Sequence, residues 1–144
     1  MSENVELVRS WFALSPDLRD VDPNDPALFD VAFGDGRLDE EFELRLPGDY
    51  PEGESIFRGR EGVRRLLVMM QDVWAEWRVE PERFFDAGDK VVVFTRGVAR
   101  ARASGVPIEL SGAYVWSIKE ARLMSARVYL DRSEALEAVG LKPN

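Results

Sequence analysis

Apolar side chains recur along the chain at two periods, and the change from one to the other falls near residue 78. Val5, Val8, Trp11 and Phe12 share one face at helical spacing. They predict an amphipathic helix over 3–14, with Glu3 and Glu6 in the first turn, where the helix dipole favours carboxylates. Ser15-Pro16 ends it, and the Asp- and Pro-rich residues 15–25 read as loop. Asp25-Pro26 has the form of an N-cap followed by a first-turn proline, which predicts a short helix over 27–33 stopped by Gly34. Glu41 to Leu46 alternates, with Phe42, Leu44 and Leu46 on one side, so it reads as a half-buried strand. Pro47 to Gly53 is a turn-rich loop. Val63, Leu66, Leu67, Met70, Val73, Trp74 and Trp77 then recur at helical spacing and predict one long helix over 59–77.

Beyond that point the period is two. Strands are predicted over 78–85 (bent at Pro81), 90–103, 106–118 and 123–130, joined by short turns at 86–89, 104–105 and 119–122. Ser133 to Val139 reads as a short terminal helix stopped by Gly140. Helices first and strands last predict one α+β domain over residues 1–144, its helices on one face of a curved antiparallel sheet.

Alternation also sorts faces. Tyr114 and Trp116 fall on one face of their strand, and Arg127, Tyr129 and Asp131 are assigned to the same side. Large aromatics with a few ionisable groups are the make-up of a small-molecule pocket. Trp11, Trp74 and Trp77 are expected to add to its lining. Both faces of the sheet look apolar, so the second face should be covered too, most simply by another subunit. That predicts a homodimer through the sheet.

Composition narrows the chemistry. The chain has no cysteine and no histidine, which removes thiolate nucleophiles, the commonest general base and the commonest zinc ligands. Proton transfer is left to Asp, Glu, Tyr or Lys. No metal or other cofactor is expected, since no Asp/Glu spacing resembles a calcium loop. A formal charge of −8 argues against nucleic-acid partners and against anionic membranes. No apolar run is long enough to span a bilayer, and the N-terminus lacks a signal-like pattern, so a cytoplasmic protein is expected.

Asp131 has two readings. As the N-cap of the last helix, with Glu134 three residues on, it resembles a capping box. As a pocket-edge acid its pKa would rise with burial and fall beside Arg127. With Tyr114 or Tyr129 as donor it could then move a proton.

Five stretches in order carry a family likeness: 3–9 (ENVELVR), 57–63 (FRGREGV), 85–93 (FDAGDKVVV), 115–118 (VWSI) and 129–136 (YLDRSEAL). The chain resembles the SnoaL-like branch of the nuclear transport factor two-like superfamily. The resemblance implies a cone-shaped α+β barrel, a bent sheet wrapped on about three helices, a pocket in the cone and dimerisation through the sheet. Members include polyketide cyclases, ketosteroid isomerases, epoxide hydrolases, dehydratases and proteins of no known activity, so fold leaves function open. In the cyclases a carboxylate just after the last long strand is the acid–base catalyst, and Asp131 matches it by position.

The departures are specific. Tyr114 stands where many relatives have histidine. Arg96, Arg100 and Arg102 lack the Asp partner two residues away that an epoxide hydrolase needs. No second pocket acid of the isomerase kind is found. Three functions follow. One is a binder of a small apolar or carbonyl-containing molecule. Another is a cofactor-free isomerase or cyclase using Asp131. The third is a partner-binding dimer with a filled cone.

Overall fold

A computed structural model describes residues 3–14, 22–25, 38–47 and 56–141. The elements are α1 (Glu3–Leu14), β1 (Leu38–Arg45), β2 (Ile56–Arg58), α2 (Gly59–Val73), β3 (Trp74–Asp86), β4 (Lys90–Ala101), β5 (Pro107–Lys119), β6 (Arg122–Tyr129) and α3 (Arg132–Ala138). The helix expected over 27–33 and the loop from 48 to 53 lie outside the described residues.

The strands form one curved, open sheet in the order β2-β1-β6-β5-β4-β3. β3 to β6 make the expected antiparallel meander. The sheet as a whole is mixed, because β1 pairs parallel with β6. Those two strands are the width of the domain apart in sequence, and no hairpin constrains their direction.

α1 lays Val5 and Val8 into the main core with Leu38, Phe42, Val91, Val93, Trp116, Ile118, Leu123 and Ala126. Val63 and Leu67 of α2 pack against the same cluster. Asn4 Nδ2 donates to the Gly88 carbonyl at 2.8 Å and ties the start of α1 to the β3–β4 turn.

The long helix is shorter than its apolar spacing predicts. It ends at Val73, and Trp74 is already extended at φ −113°, ψ 130°. The Val73 carbonyl accepts from Arg102 N at 3.0 Å, so the chain leaves the helix directly into the sheet. Trp74 and Trp77 therefore belong to β3. Their three-residue spacing comes from a bulge. Trp74 pairs with Ala101 and Trp77 with Ala99, so Ala75 is an extra residue and both indoles lie on one face. A second bulge at Glu82 does the same for Pro81 and Phe84, which oppose Thr95 and Val93.

A third bulge corrects the predicted faces. Ile118 pairs with Leu123 but Ser117 pairs with Ser125, which makes Met124 the extra residue. Tyr114 therefore opposes Val128, and Trp116 opposes Ala126. Arg127 and Tyr129 oppose Val115 and Ala113 on the outer face, away from Tyr114 and Trp116. Simple alternation placed them together because it counted through the bulge.

The outer face has its own cover. α3 folds back and packs Ala135 and Leu136 on Val92, Ala113 and Val115. Part of the apolar outer face is thus met by this chain's own last helix. Asp131 caps α3, accepting from Ser133 N at 2.8 Å and from Glu134 N at 3.4 Å. Arg132 reaches beneath three strands. Its Nε donates to the Gly112 carbonyl at 3.2 Å and its Nη2 to the Thr95 carbonyl at 2.9 Å. It also pairs with Glu82 at the β3 bulge.

Gly62 is buried on the face of α2 that meets β2, and a Cβ there would lie 2.8 Å from the Phe57 carbonyl carbon. In an open helix Gly→Ala gains about 1 kcal/mol. Here the backbone clash reverses the sign. Gly62→Ala is expected to destabilise the fold by about 1–3 kcal/mol, read as a lower urea midpoint. An unchanged or higher midpoint would show that β2 moves aside freely.

Candidate functional site: an aromatic layer under the first helix

The inner face of the sheet carries large residues where β5 passes beneath α1. Tyr114 and Trp116 are two residues apart on β5, so they share a face. Their rings stack with centroids 6.0 Å apart. Phe42 from β1 stacks on the other side of Trp116, also at 6.0 Å. The last turns of α1 close the layer. Trp11 meets Trp116 edge-on at 6.1 Å, and Phe12 meets Tyr114 at 5.8 Å and Trp116 at 5.9 Å.

Two hydrogen-bond donors sit in this apolar layer. Trp116 is 2% exposed, and its Nε1–H has no hydrogen-bond partner among the described residues. Leaving such a donor buried and unpaired costs about 1–3 kcal/mol. Tyr114 is half-buried, and desolvation pushes its hydroxyl pKa up to about 12. The phenol therefore stays protonated, and a donor, at any physiological pH. The arrangement can donate hydrogen bonds and stack on a flat molecule.

Beside the layer, between α1 and the edge strand β3, lies an open cleft of about 620 Å³. Val5, Arg9 and Phe12 line it from α1, and Pro81, Glu82, Arg83, Phe84 and Asp86 from β3. The Arg9 guanidinium stands 4.5 Å over the Phe84 ring. Phe12 belongs to both places, since it lines the cleft and also touches Tyr114 and Trp116.

Of the site residues expected from the sequence, the fold brings together Trp11, Tyr114 and Trp116. Trp74 and Trp77 contact each other at 5.3 Å, outside that cluster. Arg127 stacks on Tyr129 at 5.1 Å on the outer face. Asp131 is exposed and engaged as a cap. Phe12, Phe42 and Phe84 were not singled out. Phe12 and Phe42 were legible as members of their apolar stripes. The inward position of Phe84 depends on the bulge at Glu82, which alternation does not reveal.

Two expectations follow from this geometry. Asparagine caps helices about as well as aspartate, whereas alanine costs about 1 kcal/mol. Asp131→Asn is therefore expected to keep the urea midpoint and Asp131→Ala to lower it. Equal losses would mean that the negative charge matters rather than the cap. For Tyr114 the folded pKa lies above the unfolded value of about 10. Its contribution to stability is complete below that value and is lost as pH rises through about 12. Tyr114→Phe is expected to flatten the alkaline fall in melting temperature between about pH 10 and pH 12. A variant that falls as steeply as the parent would place the cause in another group.

Comparison with known proteins follows the fold. No protein of curated function matches the sequence. A nuclear transport factor two-like protein of unknown function from Burkholderia pseudomallei superposes with a TM-score of 0.69 at 20% identity, covering 97% of this chain and 99% of that one. TerC, co-crystallised with polyporic acid, gives 0.70 at 22% identity over 96% and 98% of the two chains. A hypothetical protein from Catenulispora acidiphila has a ketosteroid isomerase-like fold and was solved with trimethylamine. It gives 0.65 at 18% identity over 94% and 93%. The SnoaL-like domain profile matches residues 29–126. With the strand order, the bent sheet and the helix under it in place, that match assigns the chain to the SnoaL-like domain family.

Proposed function

We propose that this protein binds a small, flat, largely apolar molecule against the aromatic layer beneath α1. The observation that carries the reading is the gathering of Trp11, Phe12, Phe42, Tyr114 and Trp116 around one point of the sheet, beside a cleft of about 620 Å³. A concave, mostly aromatic surface with few polar groups, next to space of a few hundred Å³, is the usual form of a small-molecule site. Two proteins of the same fold were crystallised with small molecules, TerC with polyporic acid and the Catenulispora protein with trimethylamine. The acid–base alternative rests on Asp131. That carboxylate is exposed and accepts the first backbone amides of α3, so binding asks less of the fold than catalysis does.

The test is calorimetric titration with a panel of flat apolar compounds, polyporic acid first. At least one compound is expected to bind saturably, and Trp11→Ala is expected to weaken it by roughly tenfold, since stacked aromatic contacts contribute about 0.5–1.5 kcal/mol beyond burial. Saturable binding indifferent to Trp11 would move the site, with Trp74 and Trp77 the next place to look. A panel with no binder sinks the reading.

A further inference from the structure

The outer face of the sheet carries two neighbouring rows of side chains that cross from β2 to β4. Strand register sets both. In one row stand Arg58, Glu43, Ser125, Ser117 and Lys90, and in the other Ile56, Arg45, Arg127, Val115 and Val92. α3 packs on Val115 and Val92, so what it leaves open is mostly polar. The open part holds four cations, Arg45, Arg58, Lys90 and Arg127, against one carboxylate, Glu43. The whole chain has a formal charge of −8, so a positive patch runs against its composition.

The local arrangement also breaks a packing rule. Arg45 and Arg127 are register partners on adjacent strands, about 5 Å apart at the backbone. Like charges directly opposite one another destabilise a sheet. Glu43 does not resolve the conflict. Its carboxylate is taken by Arg45 and, at 2.9 Å, by Arg58, and hydrogen bonds from these two arginines hold its pKa below the usual carboxylate value. Arg127 has the Tyr129 ring at 5.1 Å and no ion pair among the described residues. Lys90 has no carboxylate partner among them either, and its Nζ donates to Ser117 Oγ at 3.0 Å. The Ser117 hydroxyl hydrogen is then available to an acceptor. Ser125, next to Ser117 in the row, is half-buried, and its hydroxyl makes no hydrogen bond to a described residue. A local rule broken without a structural gain marks a place kept for function.

We propose that these rows bind a phosphate group over Ser125. The Arg45 and Arg127 guanidiniums meet its oxygens from one side, the Ser125 and Ser117 hydroxyls donate from below, and the Lys90 ammonium adds charge from the far side. Guanidinium forks and hydroxyls suit a tetrahedral oxyanion, and bonds between charged groups are the strong ones. A carboxylate has two oxygens, which one guanidinium satisfies, so it leaves most of the row unused. The phosphate is either the free ion or the end group of a larger molecule, and the row meets the same oxygens in both. The site lies on the opposite side of the sheet from the aromatic layer, and it stands independently of the binding role proposed there.

The experiment titrates the full, isotope-labelled chain with inorganic phosphate, phenyl phosphate and acetate at constant ionic strength. Both phosphates are expected to move the backbone amide signals of Ser117, Ser125 and Arg127 saturably, and acetate to move them little. Arg127→Gln and Ser125→Ala should each weaken phosphate by about fivefold, the scale of one partly exposed charged contact. Arg64→Gln removes the same charge from α2, where Arg64 pairs with Glu61, and should leave the affinity unchanged. Phosphate should also raise the urea midpoint of the parent more than chloride of equal ionic strength does, because it binds the folded chain. Arg127→Gln should lose most of that rise. Phenyl phosphate binding more tightly than the free ion assigns the phosphate of a larger molecule, and equal affinity assigns the free ion.

Three results would overturn the proposal. Shifts that never saturate, or that Arg64→Gln weakens as much as Arg127→Gln does, mean diffuse attraction and no site. Acetate binding as tightly as phosphate means a surface for carboxylates. If neither phosphate moves these amides there is no phosphate site, and signals that then move on dilution of the protein show the rows meeting a second copy of the chain.

Discussion

The sheet can wrap an aromatic layer because three strand positions carry one residue more than their partners. Ala75, Glu82 and Met124 each interrupt the pairing register. An extra residue bends the bulged strand and increases its local twist. It also shifts alternation by one, so every side chain beyond it changes face relative to a simple count. The bulge at Glu82 turns Phe84 inward, where its ring stands 6.3 Å from Phe12. The bulge at Met124 lets Leu123 and Ala126 both enter the core and sends Arg127 and Tyr129 outward. The inner face is therefore apolar at the layer because the register excludes the charged residues of β6 from it.

Each face of the bent sheet then finds some cover within the chain. α1 and α2 take the inner face and α3 takes part of the outer one. The last transfer happens at Asp131 and Arg132. Asp131 satisfies the free amides at the start of α3, and Arg132 anchors the same turn to carbonyls of β4 and β5. The guanidinium also stacks 4.9 Å over the Phe94 ring, so one side chain ties the helix start to three strands by both charge and dispersion. The residue that the family likeness marks as an acid is here the first part of a structural joint. Its neighbour carries most of the contacts.

The chemistry at the inner layer is that of a dry surface with donors. Burial keeps the Tyr114 phenol protonated, and the Trp116 N–H has no other form. Without histidine in the chain, a proton acceptor near neutral pH would have to be a carboxylate. Beside the layer, Glu82 and Asp86 line the cleft between α1 and β3. Fold families of this kind hold many activities on one frame.

Much of the frame was legible in the sequence. The stripe Val5, Val8, Trp11 and Phe12 predicted α1 to its bounds, and alternation with turn chemistry predicted the meander of the three last strands, because helix and strand periods are local properties of the chain. Asp131 with Glu134 announced the cap of α3 for the same reason. Where α2 stops, which way Arg127 points and what covers the outer face were decided only by tertiary structure. A helix pattern and a bulged strand share the spacing of three, as Trp74 and Trp77 show. Only the pairing partner on the next strand tells them apart, and that partner, Ala101 for Trp74, lies 27 residues away in the chain. The unpaired donor on Trp116 is of the same kind, since the sequence names the indole and only the packing around it determines that nothing among the described residues answers its N–H.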